Sequence, residues 1–164
     1  MNQLCYDRCV LPRTYDEQVC SIARSLEIVG DRWTLLIVRD AFLGLKRFQE
    51  FEADLKLPKK VLSERLQRLV DEGILETRVY ETRPQRHEYL LTEKGRGLWR
   101  VLAQLLMWGD EHYVGEAGPP RILRHRECGG RLDYSLRCKK CGAEVTDSRE
   151  VNIAPGPGLR AVAA

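Results

Sequence analysis

Four residues near the C-terminus combine side chains and spacing that suit a zinc ion. Two residues separate His125 from Cys128, two separate Cys138 from Cys141, and a glycine follows each pair. Structural zinc takes four nitrogen or sulfur ligands in a tetrahedron, and a two-residue spacer lets one turn offer two of them. The glycines permit the positive φ that such turns need. The pattern predicts one structural zinc ion per chain in a zinc-ribbon-like module, held by His125, Cys128, Cys138 and Cys141.

Other uses of these side chains stay open on the sequence alone. Cys138 and Cys141 could form a disulfide or remain free thiols, and His125 could be a surface residue between two arginines. The first residues contain no apolar signal segment, which favours a reducing compartment and metal ligation over disulfides. A module of about thirty residues is too small to build its own core and would need the metal to fold. A catalytic zinc is not expected, because protein ligands would fill all four positions.

The distribution of positive charge indicates a second kind of chemistry, the binding of a polyanion. The net charge is only +3. There are five basic residues and one acidic residue between Lys56 and Arg68, three and one between Arg78 and His87, and seven and two from residue 121 to 140. The remainder of the chain is therefore acidic. Basic patches on an acidic body suggest a partner such as DNA, bound at defined places.

The hydrophobic pattern predicts the elements that would position these residues. Apolar residues at helical spacing predict helices over 16–29, 32–43 and 58–72, with a short helix before the last of them. The helix over 32–43 is apolar on nearly every side, which places it at the centre of a domain. Alternation over 74–81 and 88–91 predicts a β-hairpin. The tip of this hairpin is predicted at 83–87, and a long helix is predicted from Thr92 to Tyr113.

This order of elements predicts a winged helix-turn-helix, a mainly α fold with a small β-hairpin. In that fold the second helix of the pair enters the major groove and reads base edges from its first residues. The hairpin would be the wing, lying along the backbone or in the adjacent minor groove. The predicted DNA contacts are Arg47, Lys59, Lys60, Ser63, Arg65, Gln67 and Arg68 from the helices, and Arg83, Arg86 and His87 from the wing.

Several spaced motifs resemble the HxlR family of bacterial winged-helix regulators. They are the run from Cys20 to Arg39, Arg47-Phe48-Gln49-Glu50-Phe51, the run from Lys60 to Leu69, and Leu91-Thr92-Glu93-Lys94-Gly95. The resemblance covers about residues 20–113. It implies a cytoplasmic, dimeric, DNA-binding transcription factor, either an activator or a repressor. One departure is Leu57-Pro58, where the family usually has a Ser or Thr N-cap before the recognition helix.

The same resemblance gives Cys20 a candidate role. Cys20 stands 13 positions before Trp33, where several HxlR-like redox sensors have their reactive cysteine. A basic neighbour such as Arg24 would lower the pKa of this thiol and favour the thiolate. The alternative is that Cys20 is a small buried hydrophobic residue. Cys5 and Cys9 receive no assignment.

The long helix from Thr92 to Tyr113 also carries a prediction about assembly. Its apolar face covers about half of its circumference, which is more than one core contact needs. The excess, together with the first helix, predicts a two-fold interface, in agreement with the resemblance. A dimer would place its recognition helices about 34 Å apart, one turn of DNA. The alternative is a helix buried between its own domain and the C-terminal module.

The predicted organisation has four parts. They are an N-terminal arm over 1–15, a winged-helix DNA-binding and dimerisation domain over 16–117, a zinc-ribbon-like module over 118–151 and a flexible tail over 152–164. The longest apolar stretch, Val101 to Gly109, is too short to cross a bilayer, so no membrane partner is expected.

The predicted function is that of a cytoplasmic, nucleoid-associated transcriptional regulator that responds to a small molecule or an oxidant. No Ser/His/Asp set and no phosphate-binding glycine loop points to an enzyme. The Cys138-x2-Cys141 pair lacks the βαβ surroundings of a thiol oxidoreductase, which is the weaker alternative. A winged helix that binds protein rather than DNA is the other alternative.

Overall fold

The chain folds as a winged helix-turn-helix domain with a small β-module packed on its last helix. The structure is a computed structural model that describes Tyr15 and residues 20–157. The predicted N-terminal arm lies almost entirely outside the described residues. The elements are α1 (Ser21–Val29), α2 (Thr34–Phe42), α3 (Phe48–Leu55), α4 (Lys59–Asp71), β1 (Leu75–Thr82), β2 (Gln85–Leu91), α5 (Glu93–Arg96), α6 (Trp99–His112), β3 (Arg121–His125), a 3-10 turn (Ser148–Glu150) and β4 (Val151–Pro155).

Helix α2 lies at the centre of the first core, as its apolar composition predicts. Its Ile37 and Val38 are fully buried and pack with Phe51 of α3. The recognition helix candidate α4 contributes Leu62, Leu66 and Leu69, which are also buried and recur at helical spacing. One face of α4 is therefore fixed against α2 and α3, and the opposite face points to solvent.

Strands β1 and β2 form the predicted hairpin in antiparallel register, from Leu75 opposite Leu91 to Thr82 opposite Gln85. The connection is shorter than predicted, because Arg83 and Pro84 alone join the strands. Arg86 and His87 were predicted at the tip and lie instead in β2. A single bridge between Arg47 and Glu88 adds the residue before α3 to this sheet.

The long helix predicted from Thr92 to Tyr113 is divided into α5 and α6. The Thr92 side chain accepts a hydrogen bond from the Gly95 N–H and donates to the Gly73 carbonyl, which starts α5 at the end of the wing. A Cβ on Gly95 would lie 2.1 Å from the Ile74 carbonyl oxygen, so only glycine allows this close approach. Gly97 then ends α5, and α6 begins two residues later.

The C-terminal module packs on α6 and forms a second core. Trp99 and Ala103 of α6 are buried together with residues of the module: Leu123, Leu132, Leu136, Cys138, Val145 and Val151. Strand β4 pairs antiparallel with β3, from Arg121 opposite Pro155 to His125 opposite Val151. The prediction of a flexible tail from residue 152 onward is wrong for 152–155, because these residues supply the pairing partner of β3. Residues 158–164 lie outside the described part of the chain.

The broad apolar face of α6 thus has two parts. The module covers Trp99 and Ala103, which is the alternative to a dimer interface that the sequence left open. Val101, Leu105 and Trp108 remain 45%, 45% and 50% exposed. Burial under the module therefore accounts for only part of the apolar surface.

Candidate nucleic-acid interface and metal site

The start of α4 is exposed, cationic and uncapped. Pro58 occupies the N-cap position and no side chain accepts a hydrogen bond from the first turn, so the helix begins at Lys59. Lys60 and Ser63 are exposed, and Lys59 is 77% exposed with its Nζ 3.8 Å from a Glu52 carboxylate oxygen. The free N–H groups and the dipole of a helix N-terminus attract phosphate. This end of α4 can therefore bind an anionic backbone.

Further along α4, the predicted DNA contacts Arg65, Gln67 and Arg68 form ion pairs or hydrogen bonds with other residues of the chain. Arg68 Nη1 lies 2.6 Å from Asp31 Oδ2, and its Nη2 donates to the Glu27 carbonyl. Arg65 Nη1 lies 3.4 Å from the same carboxylate oxygen. Both arginines therefore tie α4 to the turn between α1 and α2. Gln67 is exposed and donates to Asp71 at 2.8 Å.

The Asp31 side chain pairs with two arginines of α4 and does not cap α2. Trp33, with φ of 81°, is the N-cap of α2, and no side chain caps that helix. The Asp31 carboxylate instead receives the guanidinium groups of Arg65 and Arg68. The sequence could not show this pairing, because 37 positions separate Asp31 from Arg68.

The wing presents a second set of cations. Arg83 and His87 are exposed and have no ion-pair partner within the described residues. Arg86 Nε lies 3.3 Å from a Glu81 carboxylate oxygen on the facing strand. This pair is exposed on both sides and is therefore weak enough to exchange for a phosphate.

Arg47 joins the start of α3 to the base of the wing. Its guanidinium lies 4.5 Å from the centre of the Tyr80 ring, and its Nε is 3.9 Å from a Glu88 carboxylate oxygen. Glu50 accepts from the backbone N–H groups of Lys46 and Arg47 at 2.7 and 2.9 Å. These hydrogen bonds lower the pKa of Glu50 below its ordinary value. The carboxylate thus stays charged and caps the first turn of α3.

The four predicted metal ligands converge in the C-terminal module. Cys128 Sγ lies 3.2 Å from Cys138 Sγ, 3.4 Å from Cys141 Sγ and 3.3 Å from His125 Nδ1. All four ligand atoms lie within 4.8 Å of one another. A tetrahedron with ordinary Zn–S and Zn–N lengths separates its ligand atoms by roughly 3.5–3.8 Å. The donor set and the spacing therefore fit a metal ion, and three thiolates with one imidazole suit zinc.

The two turns that carry the ligands have the same construction. The Gly129 N–H donates to the His125 carbonyl and the Gly142 N–H to the Cys138 carbonyl, each at 2.8 Å. Both glycines have positive φ, 68° and 75°, as the motif predicts. Gly130 is a further requirement that the sequence analysis missed, because a Cβ there would lie 2.3 Å from Cys138 Sγ. The signal for it was the doubled glycine after Cys128.

The cluster favours a thiolate at its buried cysteine. Burial opposes ionisation of Cys138, but the N–H groups of Cys141 and Lys140 and the Cys128 thiol lower the pKa of Cys138 to about 6. The pKa of Cys128 is raised, chiefly because of the hydrogen bond between its thiol and Cys138. The described cysteines, Cys20 among them, are all free thiols. The alternative of a Cys138–Cys141 disulfide therefore does not describe this structure.

Cys20 is exposed at the N-cap position of α1, so the alternative of a small buried residue is wrong. The backbone N–H groups of Ala23 and Ile22 lower the pKa of its thiol. The start of the helix, rather than the predicted Arg24, is the cause of this shift. Thiolate character at an exposed position is the condition for reactivity.

The comparisons with known proteins define the class as a winged-helix transcriptional regulator. A model described as HxlR-like helix-turn-helix matches residues 28–116. The HTH-type transcriptional regulator Rv3095 of Mycobacterium tuberculosis strain H37Rv is 47% identical over 141 residues, which are 86% of this chain and 89% of that protein. The chain belongs to the HxlR-like helix-turn-helix family. The expectation that it is not an enzyme is confirmed, because these relatives are regulators.

Two solved structures show how the chain is built from the family domain. The transcription-factor structure PA1607 has a TM-score of 0.67 and 35% identity, over 79% of this chain and 91% of that chain. The oxidised form of the redox regulator HypR has a TM-score of 0.54 and 30% identity, over 58% of this chain and 100% of that chain. The whole of HypR thus matches a stretch of the size of the winged-helix domain, and this chain extends beyond it. Among the described residues, no helix has the length and apolar character needed to cross a bilayer.

A buried carboxyl group in α2 was not singled out by the sequence analysis. Asp40 is fully buried; its Oδ1 accepts from Arg39 Nε at 2.7 Å, and its Oδ2 has no partner within the described residues. Burial raises the pKa of Asp40 to about 6, against the pairing with Arg39. The folded state therefore binds this proton more tightly than the unfolded state does. The contribution of Asp40 to the free energy of unfolding is therefore greatest at low pH, and it is lost as the pH rises through about 6.

Asp40→Asn should remove the part of the pH dependence of the unfolding free energy that comes from this carboxyl group. A difference of about two in pKa corresponds to about 3 kcal/mol, so the wild-type free energy of unfolding should fall by up to that amount, relative to the variant, between pH 4 and 6. Urea unfolding at several pH values measures it. Asp71→Asn is the control, because Asp71 is exposed and is not among the groups that shift the pKa of Asp40. Parallel curves for wild type and Asp40→Asn would assign the pH dependence to other groups.

Proposed function

We propose that this regulator binds specific double-stranded DNA as a homodimer, with the start of α4 in the major groove. The observation that supports this most is the exposed, uncapped and cationic first turn of α4. Lys59 and Lys60 would hold phosphates, while Ser63 and Gln67 would reach base edges or phosphates. Arg65 and Arg68 were predicted as contacts, and their pairing with Asp31 gives them a positioning role instead.

The wing would bind beside the recognition helix. Arg83 at the tip and Arg86 and His87 in β2 are exposed and would contact the backbone or the minor groove. Arg47 at the start of α3 lies between helix and wing and would add a phosphate contact. Phosphate contacts release counterions, so affinity should fall steeply with salt. The alternative, a winged helix that binds protein, predicts no DNA affinity that falls with salt in this way.

Lys60→Ala should weaken binding to a duplex selected from genomic fragments. The loss should be about tenfold, and the slope of log affinity against log salt should fall by about one, because one phosphate contact is removed. Fluorescence anisotropy over a salt series measures both. Lys139→Ala is the matched control, an exposed lysine of the C-terminal module. Equal affinity for Lys60→Ala and wild type would remove this face of α4 from the groove.

The homodimer is supported by apolar surface on α1 and α6. Ile22 and Leu26 of α1 are 71% and 43% exposed. On α6, Val101, Leu105 and Trp108 remain exposed after the module is packed. Exposed apolar patches of this kind mark association surfaces. A two-fold pairing through these helices would space the two α4 helices by about one turn of DNA.

Leu105→Glu should convert the dimer to a monomer, because a charge would be buried in the apolar interface. Sedimentation equilibrium should give half the wild-type mass, and affinity for the full operator should drop. Val79→Glu is the control for the mass alone, since Val79 is 43% exposed, nearly the same as Leu105, but lies on the proposed DNA-binding wing. A monomeric wild type, or a dimer that Leu105→Glu leaves intact, would contradict this interface.

We further propose that His125, Cys128, Cys138 and Cys141 hold one structural zinc ion. The support is their convergence and the small size of the module that they join. The metal would supply cross-linking of two turns and neutralisation of thiolates, and no open position would remain for catalysis. Because Cys138 is part of the apolar cluster with Trp99, the ion would also fix the module on α6.

A Cys138→Ser/Cys141→Ser variant should lose about one zinc ion per chain and unfold at lower temperature, since metal binding is coupled to folding in such modules. Elemental analysis and thermal unfolding with and without a chelator measure this. Cys20→Ser should keep the zinc, because Cys20 lies outside the cluster. Wild-type protein that is folded and metal-free would reject the proposal.

The signal that controls the regulator is the last part of the proposal. Cys20, exposed beside the apolar residues of α1, would report oxidation to the dimer interface. The structural relative HypR is named as a redox regulator, which supports this reading. A small-molecule effector stays a prediction. Since its ligand would be chromosomal DNA, we place the protein in the cytoplasm at the nucleoid.

A further inference from the structure

The cysteine cluster has an inner and an outer half. His125 and Cys138 are 3% and 2% exposed, whereas Cys141 is exposed and Cys128 is partly buried. The two outer sulfur atoms lie 3.4 Å apart. A disulfide has an S–S length of about 2.05 Å, so a local movement of little more than an ångström would bring them into bonding distance. Cys128 Sγ lies slightly nearer to Cys138 Sγ, at 3.2 Å, but Cys138 is buried. An oxidant arriving from solvent therefore meets the Cys128 and Cys141 thiols first.

We propose that Cys128 and Cys141 form an oxidant-sensitive pair whose disulfide expels the zinc ion. This inference rests on the zinc site proposed above. Hydrogen peroxide is the oxidant class that fits, because one molecule of it accepts the two electrons that formation of one disulfide releases. The pair is distinct from Cys20, which lies at the other end of the described chain.

The chemistry proceeds in two balanced steps. The Cys141 thiolate attacks one oxygen of hydrogen peroxide, the O–O bond breaks, and sulfenic acid and hydroxide form. The Cys128 thiolate then attacks the Cys141 sulfur, the S–O bond breaks, and a second hydroxide leaves as the S–S bond forms. In sum two thiolates lose two electrons and peroxide gains them. Two of four ligands are consumed, and His125 with Cys138 alone cannot retain Zn²⁺ against water.

Loss of the ion would weaken the packing of the module on α6, because the metal ligand Cys138 shares the second core with α6. Cys138 packs in the same apolar cluster as Trp99 and Ala103. Without the metal, the module is left with the β3–β4 pairing, three isolated β-bridges and the buried side chains of the second core. A core and a sheet of this size are marginal alone. The covered face of α6 would then open. The dimer surface proposed above lies on the same helix, so oxidation of the module would alter the dimer that binds DNA.

The test uses the full chain with Cys5→Ser, Cys9→Ser and Cys20→Ser, which leaves only the three cluster thiols. Zinc is measured first by elemental analysis. The zinc-loaded protein is then treated with hydrogen peroxide in the presence of a chromogenic zinc chelator, and the disulfide is located by peptide mass spectrometry. We expect release of the bound zinc together with one Cys128–Cys141 disulfide, and recovery of zinc binding after dithiothreitol and added zinc. The chain with all six cysteines should release zinc at a similar rate.

The outcomes separate the two proposals. Zinc-free protein before oxidation would overturn both the zinc site and this inference. Zinc that stays bound in excess peroxide, or a disulfide that joins Cys138 to either partner, would overturn the inference and leave the zinc site standing. Hydrogen exchange gives an independent readout. Amides of α6 and of β3 and β4 should exchange faster after oxidation, and unchanged exchange would show that the module does not transmit the signal.

Discussion

The amphipathic packing of α4 is the constraint on which the remaining structure depends. Leu62, Leu66 and Leu69 are buried against α2 and α3, so the rotation of α4 about its axis is fixed. That rotation decides which polar residues face outward, and at the start of the helix they are Lys60 and Ser63. The pairing of Arg65 and Arg68 with Asp31 holds the second half of the helix. A one-residue slip would turn the cations by about 100° and lose the leucine contacts.

Helix α6 connects this domain to the C-terminal module and belongs to both. Leu102 packs against the first core, whereas Trp99 and Ala103 belong to the second. Phe42 of α2 packs against both cores and meets Trp99 edge-on, with ring centres 6.4 Å apart. The core of the module is therefore in contact with two helices of the winged-helix domain, α2 and α6. This continuity gives the proposed metal site a physical connection to the winged-helix domain.

Local signals in the sequence were sufficient for most of the fold. The period of apolar residues predicted α1, α2 and α4, and the two-residue spacing of cysteines predicted the cluster, because both depend on neighbours along the chain. Features that depend on distant partners could not be predicted in this way. Asp31 faces Arg68 rather than capping α2, and residues 152–155 become a strand only because β3 lies beside them. The division into α5 and α6 falls at Gly97 and Leu98, a break that the apolar period of the helix does not show.

The central claim is that the first turn of α4 enters a DNA groove while the second half of the helix is held by Asp31. A crystal structure of the full chain bound to its selected duplex tests this most directly. The account predicts Lys60 and Ser63 within hydrogen-bonding distance of phosphates or base edges, Arg83 on the adjacent backbone or minor groove, and Arg68 still paired with Asp31. A duplex bound through any other surface, with the start of α4 facing solvent, would contradict it.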